Sequence, residues 1–289
     1  MTQLDLNNPS LTAIAENNPQ CQFTNVNRDG LNPKRHGLPH LGHPTLKYSM
    51  NWKVDQAGCG WLSLGNYFGY STVLIKRKTA DKKLTNFFKL QVAFHENIVG
   101  LVEAFYDSEA THLVYNYYGF AVNLSQVGLT PAVQLSEIDL ASICRSILRG
   151  LEYIHEQLLI AHGRVDCDNI ILCSDGGIKI ANIGDSMIDD RPTSMDSDRE
   201  KVGLLLLQLG DPQRPLYKRE DQARAQRIEL RLSKYAIHFV EHISSASFSY
   251  LFEHAFLQQV QSDSRTWFLI PHYLDTIMHW GVLPQEKER

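Results

Sequence analysis

The chain has 289 residues, of which 43% are hydrophobic and 21% are charged, and its formal net charge is −4. This composition is typical of a globular protein, and the length allows one large domain or two lobes around a core. The small negative charge gives no electrostatic reason to expect a nucleic acid or an anionic membrane as a partner. No stretch approaches roughly 18 uninterrupted apolar residues, so the sequence predicts no membrane span.

Residues 1–45 are rich in Asn, Pro, Gln and Gly and lack periodicity. This pattern predicts a polar N-terminal segment that is either disordered or laid over the surface, without a secretory signal. His36, His40 and His43 lie in it with metal-like spacing, but no Cys or carboxylate cluster is near them in the sequence, so we expect no metal site. Five scattered cysteines without a CxxC pair favour a reduced chain and hence a cytoplasmic location.

Residues 46–120 have a strand-like pattern. The stretches YSMNWKV, GWLSLGNYF and YSTVLIKRK are punctuated by glycines and predict three antiparallel strands. Residues 79–94 predict a short helix with Leu84, Phe87, Phe88 and Val92 near one face. HENIVGLVEAFYDSEATHLVYNYY then predicts two further strands joined by a turn at DSEA.

Residues 121–289 become mainly helical. Residues 136–157 carry apolar side chains, including Ile138 and Ile147, at helical spacing, and Ser136 is a candidate N-cap. The stretches NIILCS and GIKIANI predict a small hairpin across the turn at residues 175–177. A sheet-rich first part and a helical second part predict an α+β fold. The aromatic-rich C-terminal extension has no assigned role.

Six short motifs occur in order along the chain: VLIK (73–76), HENIV (95–99), HLVYNYYG (112–119), GLEYIH (150–155), HGRVDCDNIIL (162–172) and IKIANIG (178–184). Together they resemble a protein kinase domain over roughly residues 46–257. The resemblance implies a bilobal fold, with a small antiparallel β-sheet N-lobe at 46–120 and a mainly α-helical C-lobe from 121 onward. It also implies serine/threonine phosphotransfer chemistry with ATP and magnesium.

The residue-by-residue alignment with the kinase motifs argues against phosphotransfer. If Asn169 is the Asn of HRDxxxxN, then His162 is its His and Arg164 stands in place of its catalytic Asp. Asn182 of Asn-Ile-Gly then stands in place of the magnesium-binding Asp of DFG. A guanidinium has no acceptor and stays protonated, and an amide lacks the charge that holds magnesium beside phosphate. We therefore expect no catalytic residue.

The resemblance also outlines a vestigial nucleotide pocket. Lys76 matches the lysine that binds the phosphates, and residues 116–118, with Asn116 and Tyr118 at the ends, match the hinge that meets adenine. Asn169 and Asn182 would complete the site.

Several other positions depart from the family pattern in ways that narrow or weaken this pocket. Leu74 replaces a smaller alanine, and Tyr115 falls at the gatekeeper position. The glutamate that should pair with Lys76 is missing, with Asn86 near its place. The segment Gly58-Cys59-Gly60 is the best match to the glycine-rich loop, although a simple turn is the more ordinary interpretation.

The segment after the pocket is short. Asp198 matches the Asp of a large-lobe helix, so the stretch from Asn182 to Asp198 is too brief for the usual peptide-substrate platform.

These features favour a pseudokinase, a kinase fold kept as a protein-binding or allosteric module, with another kinase among the candidate partners and with no cofactor. The alternative is a divergent, slow, ATP-dependent serine/threonine kinase. In it Lys76, Asn169, Asn182 and Asp166 would share the work, with Asp166 compensating for the lost base, and ATP and magnesium would be required.

Overall fold

The computed structural model describes residues 38–66, 71–79, 89–107, 109–189, 194–210, 232–260 and 266–281. Within these residues the chain forms the two lobes that the sequence predicted, a sheet lobe followed by a helical lobe. No helix in the described ranges is both long enough and apolar enough to cross a membrane.

The first lobe is built on one six-stranded sheet. Its strands are β1 (His40–Leu41), β2 (Tyr48–Asp55), β3 (Cys59–Gly65), β4 (Thr72–Thr79), β5 (Leu101–Tyr106) and β6 (Ala110–Asn116). Their order across the sheet is β1-β5-β6-β4-β3-β2. The antiparallel pairing of β2, β3 and β4 and the β5–β6 hairpin are confirmed.

Ordered structure begins before the expected boundary at residue 45. His40 and Leu41 form β1, which pairs in parallel with β5, and a 3-10 helix follows at Pro44–Leu46. The Gly42 amide donates to the Tyr106 carbonyl at 2.8 Å. The segment is ordered because it satisfies backbone groups that β5 would otherwise leave unpaired at the sheet edge. Residues 1–37 lie outside the described part of the chain.

The predicted helix over residues 79–94 is wrong at both ends. Thr79 is the last residue of β4, and Ala93 forms an isolated bridge with Leu101, to whose carbonyl its amide donates at 3.1 Å. Val92, expected on the buried face, is 60% exposed. Residues 80–88 lie outside the described residues.

The second lobe combines seven described helices with a small three-stranded sheet. The helices are α1 (Leu124–Leu129), α2 (Glu137–Glu156), α3 (Ile183–Ile188), α4 (Met195–Gly210), α5 (Lys234–His242), α6 (Phe248–Phe252) and α7 (Ile270–Gly281). The strands, in sheet order, are β7 (Val122–Asn123), β8 (Ile170–Leu172) and β9 (Ile178–Ile180). Short 3-10 helices lie at Leu257–Gln259 and Thr266–Leu269.

Helix α2 forms as predicted and organises this lobe. Ser136 caps it in a capping box with Asp139, and Ile147 is fully buried. Ile138, which the helical spacing placed with the core residues, is instead 50% exposed in the first turn. The predicted β8–β9 hairpin is also confirmed, and the backbone of β9 exchanges hydrogen bonds with Asn97 and Val99 of the first lobe. These contacts bring the catalytic-loop match close to the first lobe.

Candidate functional site in the interlobe cleft

The β2–β3 connection is a tight turn, as the simpler interpretation of the glycines predicted. Asp55 pairs with Cys59, and Ala57 and Gly58 both have positive φ angles, of 52° and 102°. The Gly58 amide donates to the Asp55 carboxylate at 2.9 Å. This amide therefore points into the turn and is not available to cradle a phosphate.

Gln56, at the start of this turn, is hydrogen-bonded to the predicted hinge. Its Nε2 donates to the Tyr118 carbonyl at 2.5 Å, and its Oε1 accepts from the Tyr118 amide at 3.4 Å. Only 5% of Gln56 is exposed. The side-chain amide thus uses one donor and one acceptor of the hinge backbone. Asn116 offers no free amide either, because its N–H donates to the Gly100 carbonyl at 3.0 Å.

Lys76 is buried in β4 with three acceptors around its ammonium. Nζ donates to the carbonyls of Gln56 at 2.9 Å and Ala57 at 2.7 Å, and to Oδ1 of Asn182 at 2.7 Å. An ammonium has three donors, so its hydrogen-bonding capacity is filled. Burial lowers the pKa of Lys76 to about 8, with Asp185 opposing part of that shift. Turn carbonyls and an amide thus replace the missing glutamate.

Asn182 connects Lys76 to the match of the catalytic loop. Its Nδ2 donates to the Ala57 carbonyl at 2.8 Å and to Oδ1 of Asn169 at 2.6 Å. Nδ2 of Asn169 donates in turn to the Asp166 carboxylate, at 2.9 and 3.1 Å from its two oxygens. Asn182 has φ 67° and ψ 28°, a left-handed conformation that Asn tolerates better than most residues. Four of the predicted site residues therefore form one connected chain.

Arg164 lines the same cleft but is not part of that chain. Its guanidinium lies 3.8 Å from the Asp185 carboxylate and 3.7 Å from that of Asp189. Asp185 is buried and also binds Lys78 at 2.5 Å. The arginine at the position of the catalytic base is thus part of an ion-pair cluster with two carboxylates and a lysine.

His162 and Asp198 hold the start of the catalytic-loop match in place. Asp198 is fully buried and accepts from the amides of His162 at 2.6 Å and Gly163 at 2.7 Å and from Nε2 of His155 at 3.0 Å. Burial alone would raise the pKa of Asp198, but these hydrogen bonds lower it overall. The His162 ring contacts the Ala181 carbonyl at 2.9 Å, and burial lowers its pKa. His162 therefore has the surroundings of a structural residue.

Tyr115 and Leu74 fill the back of the cleft. The Tyr115 hydroxyl accepts from the Gly184 amide at 3.0 Å, and its ring lies 5.9 Å from Nζ of Lys76. A Cβ on Gly184 would come within 2.7 Å of that hydroxyl. Leu74 is also buried, and a Cβ on Gly60 would lie 2.8 Å from its Cδ1. Large side chains at these two positions require glycine opposite them.

Sequence reasoning missed Gln56 and Asp185. Asp185 directly follows Asn182-Ile183-Gly184 and could have been noticed as a carboxylate beside the altered metal site. Gln56 had no such signal, because its role depends on a turn that reaches the hinge 62 residues later in the chain.

The two-lobed fold and its cleft define the class of the protein as a kinase fold. A family model described as the protein kinase domain matches residues 74–244, more than half of the chain. The chain therefore belongs to the protein kinase domain family.

Among its relatives are named serine/threonine-protein kinases. It is 25% identical to shk1/pak1 of Schizosaccharomyces pombe over 186 residues, which make up 61% of this chain and 27% of that protein. The chain is 27% identical to STE20 of Candida glabrata over 190 residues, which make up 61% of this chain and 20% of that protein. The identity to pakA of Dictyostelium discoideum is 31% over 145 residues, which make up 48% of this chain and 12% of that protein. The matched part thus covers well under two thirds of each relative.

Proposed function

We propose that this chain is a catalytically silent kinase domain that closes its nucleotide cleft with its own β2–β3 turn and acts by binding a protein partner. The observation that carries the proposal is the pair of hydrogen bonds between Gln56 and the Tyr118 backbone. An adenine ring at the hinge would have to displace this buried amide. It would also have to compete with an intramolecular group that loses no translational freedom on binding.

Arg164, which stands in place of the catalytic base, also supports the proposal of a catalytically silent domain. Arg164 has no acceptor for a hydroxyl proton, and it lies within 4 Å of Asp185 and Asp189. Loss of a positioned general base costs about 10²- to 10⁴-fold in rate.

The side-chain amide of Asn182, which stands in place of the metal-binding Asp, already has hydrogen-bond partners. Oδ1 of Asn182 accepts from Lys76, and its Nδ2 donates to Ala57 and Asn169. Magnesium would need that oxygen and would gain no charge from it. The nearby Asp185 carboxylate is paired with Lys78 at 2.5 Å. Oδ2 of Asp185 is thus already paired, Oδ1 of Asp185 is buried without a hydrogen-bond partner among the described residues, and Asn182 adds no negative charge to the site.

The alternative, a slow serine/threonine kinase, is favoured by the retained Lys76 and Asn169 and by the names of the relatives. In that case Asp166, which is exposed, would serve as the base. To do so it would have to release Asn169, whose amide group it holds with both carboxylate oxygens.

A thermal-shift assay with ATP, with and without magnesium, tests the nucleotide part. A ligand at 100 times its dissociation constant adds about 2.7 kcal/mol of stability, which is readily measured. We expect no shift for the wild type. A magnesium-dependent shift that disappears in Lys76→Ala would overturn the closed-cleft proposal, and each variant is compared with its own nucleotide-free transition.

The binding role is tested by replacing the wild-type gene with an Asp166→Asn allele. Because the proposed function needs no proton acceptor, the allele should support the same phenotype and the same co-purifying proteins at equal abundance. Phosphotransfer by the wild type that is lost in Asp166→Asn would establish the slow-kinase alternative instead.

A further inference from the structure

A cluster of metal-ligating side chains lies outside the cleft, at the β1 side of the first-lobe sheet. His43 precedes the 3-10 helix at Pro44–Leu46, Asp107 directly follows β5, and His112 lies within β6. One ring nitrogen from each histidine and one carboxylate oxygen of Asp107 all lie within 4.8 Å of one another. Three separate parts of the chain therefore converge on one point.

The distances approach those of a tetrahedral site. Nε2 of His112 is 3.0 Å from Oδ2 of Asp107. Two ligands of a tetrahedral zinc ion, each about 2.0 Å from it, are separated by about 3.3 Å. The His43 and His112 rings meet edge to face with centroids 4.7 Å apart, and His43 is partly exposed.

Two of the ligand groups are already oriented by outer hydrogen bonds. Oδ1 of Asp107 accepts from the amides of Glu109 at 2.9 Å and Ala110 at 2.8 Å, which leaves Oδ2 for other partners. Nδ1 of His43 accepts from the Thr45 amide at 3.3 Å and lies 2.9 Å from the Thr45 hydroxyl, so these contacts hold the ring in place. Such second partners fix the ring orientation and tautomer of metal-binding histidines.

The buried His112 ring has one protein partner, the Asp107 carboxylate at Nε2. Its side chain is only 2% exposed, and its Nδ1 has no hydrogen-bond partner among the described residues. Nε2, which faces Asp107, is therefore the ring nitrogen that would bind the ion, and Nδ1 points away from it.

We propose that His43, Asp107 and His112 bind one zinc ion, with water as the fourth ligand. Two imidazoles and a carboxylate are a donor set that zinc prefers, whereas magnesium and calcium prefer oxygen ligands alone. The ion would fasten the segment that precedes β2 to the β5–β6 hairpin. This departs from the expectation of no metal site, because Asp107 and His112 are far from the histidine run in the sequence.

Zinc binding by the purified, chelator-treated full chain tests the proposal. We expect one zinc ion per chain, a thermal stabilisation by zinc but not by magnesium, and visible d–d absorption of a tetrahedral site with cobalt. His43→Asn, which can still cap the 3-10 helix, should weaken zinc binding by more than about 100-fold, since even outer partners of a metal site are worth 10- to 100-fold. Asp107→Asn should do the same.

His40→Asn is the matched control, because this neighbouring histidine packs against Phe105 and is not in the cluster. It should retain wild-type zinc affinity. The proposal is overturned if the wild type binds no stoichiometric zinc, or if His43→Asn and Asp107→Asn bind it as tightly as His40→Asn does. Circular dichroism of each metal-free variant checks that it is folded.

Discussion

Asn182 and Lys76 illustrate how single residues change the role of the cleft. An aspartate at position 182 could bind a metal or pair with the lysine, but the neutral amide both accepts from Lys76 and donates to Ala57 and Asn169. A carboxylate could not make the last two contacts, because it has no donor when ionised. The amide therefore suits a closed cleft better than an aspartate would.

The lowered pKa of Lys76 predicts how the free energy of unfolding depends on pH. Its pKa is about 8 in the folded protein and 10.5 when unperturbed, so between these values the unfolded state binds more protons. The free energy of unfolding of the wild type should therefore rise with pH across this window, by at most about 1.4 kcal/mol per pH unit from this group. Lys76→Met should lack this contribution, which denaturant titrations at pH 8 and pH 10 would measure. Parallel profiles for the two proteins would contradict the assignment.

Asp198 gives a second prediction at this scale. Asp198→Asn removes a buried charge that accepts from two amides and a histidine, and should lower the free energy of unfolding by about 3 kcal/mol at neutral pH. Because the pKa of Asp198 is lowered in the folded state, its contribution is present above the ordinary carboxyl pKa and is lost as pH falls through the folded value. The difference between wild type and variant should thus shrink in acid. Asp175→Asn, at an exposed turn, is the control.

At the scale of elements, the β2–β3 turn depends on its unusual backbone. Ala57 has a φ of 52°, a region that L-residues with a branched Cβ adopt only under strain. The carbonyl of Ala57 is the acceptor for both Lys76 and Asn182, so the conformation of this one residue positions two of the cleft contacts.

Ala57→Val should therefore destabilise the protein by about 1–2 kcal/mol, whereas Ala57→Gly should be tolerated. Chemical denaturation of both variants would measure the difference. Hydrogen exchange should show faster exchange at the Tyr118 amide in the valine variant, because the turn that carries Gln56 is displaced. Equal stability of the two variants would mean that the turn is not constrained as described.

At the scale of the whole molecule, the proposed closure of the cleft and the proposed loss of both carboxylates would be separate obstacles to catalysis. The double variant Arg164→Asp/Asn182→Asp restores both carboxylates of the family motif but leaves Gln56 on the hinge. We expect it to remain without phosphotransfer and without a thermal shift by ATP. Addition of Gln56→Ala should permit a shift, because the Tyr118 backbone is then free. Radiolabelled phosphate transfer by the double variant alone would show that the turn does not block the cleft.

The sequence by itself determined the fold class, most strands and helix α2. These follow from local periodicity, from capping by Ser136 and from motif order, all of which are written in short stretches of chain. The predicted helix at residues 79–94 extends too far at both ends. Thr79 and Ala93 are paired with strands in the tertiary structure, although the spacing of apolar residues favours a helix there. Strand β1 was missed for the same reason, since it exists only beside β5.

Only the tertiary structure decided which side chains meet in the cleft and which metal-ligating side chains come together outside it. Gln56 meets Tyr118, and Lys76 meets Asn182, across 62 and 106 residues of chain. His43, Asp107 and His112 come together because β1 adds to the edge of the sheet. No local pattern encodes such contacts, because each depends on how two separately predictable elements pack. The packing shows which side chains meet at the positions that the kinase motifs predict.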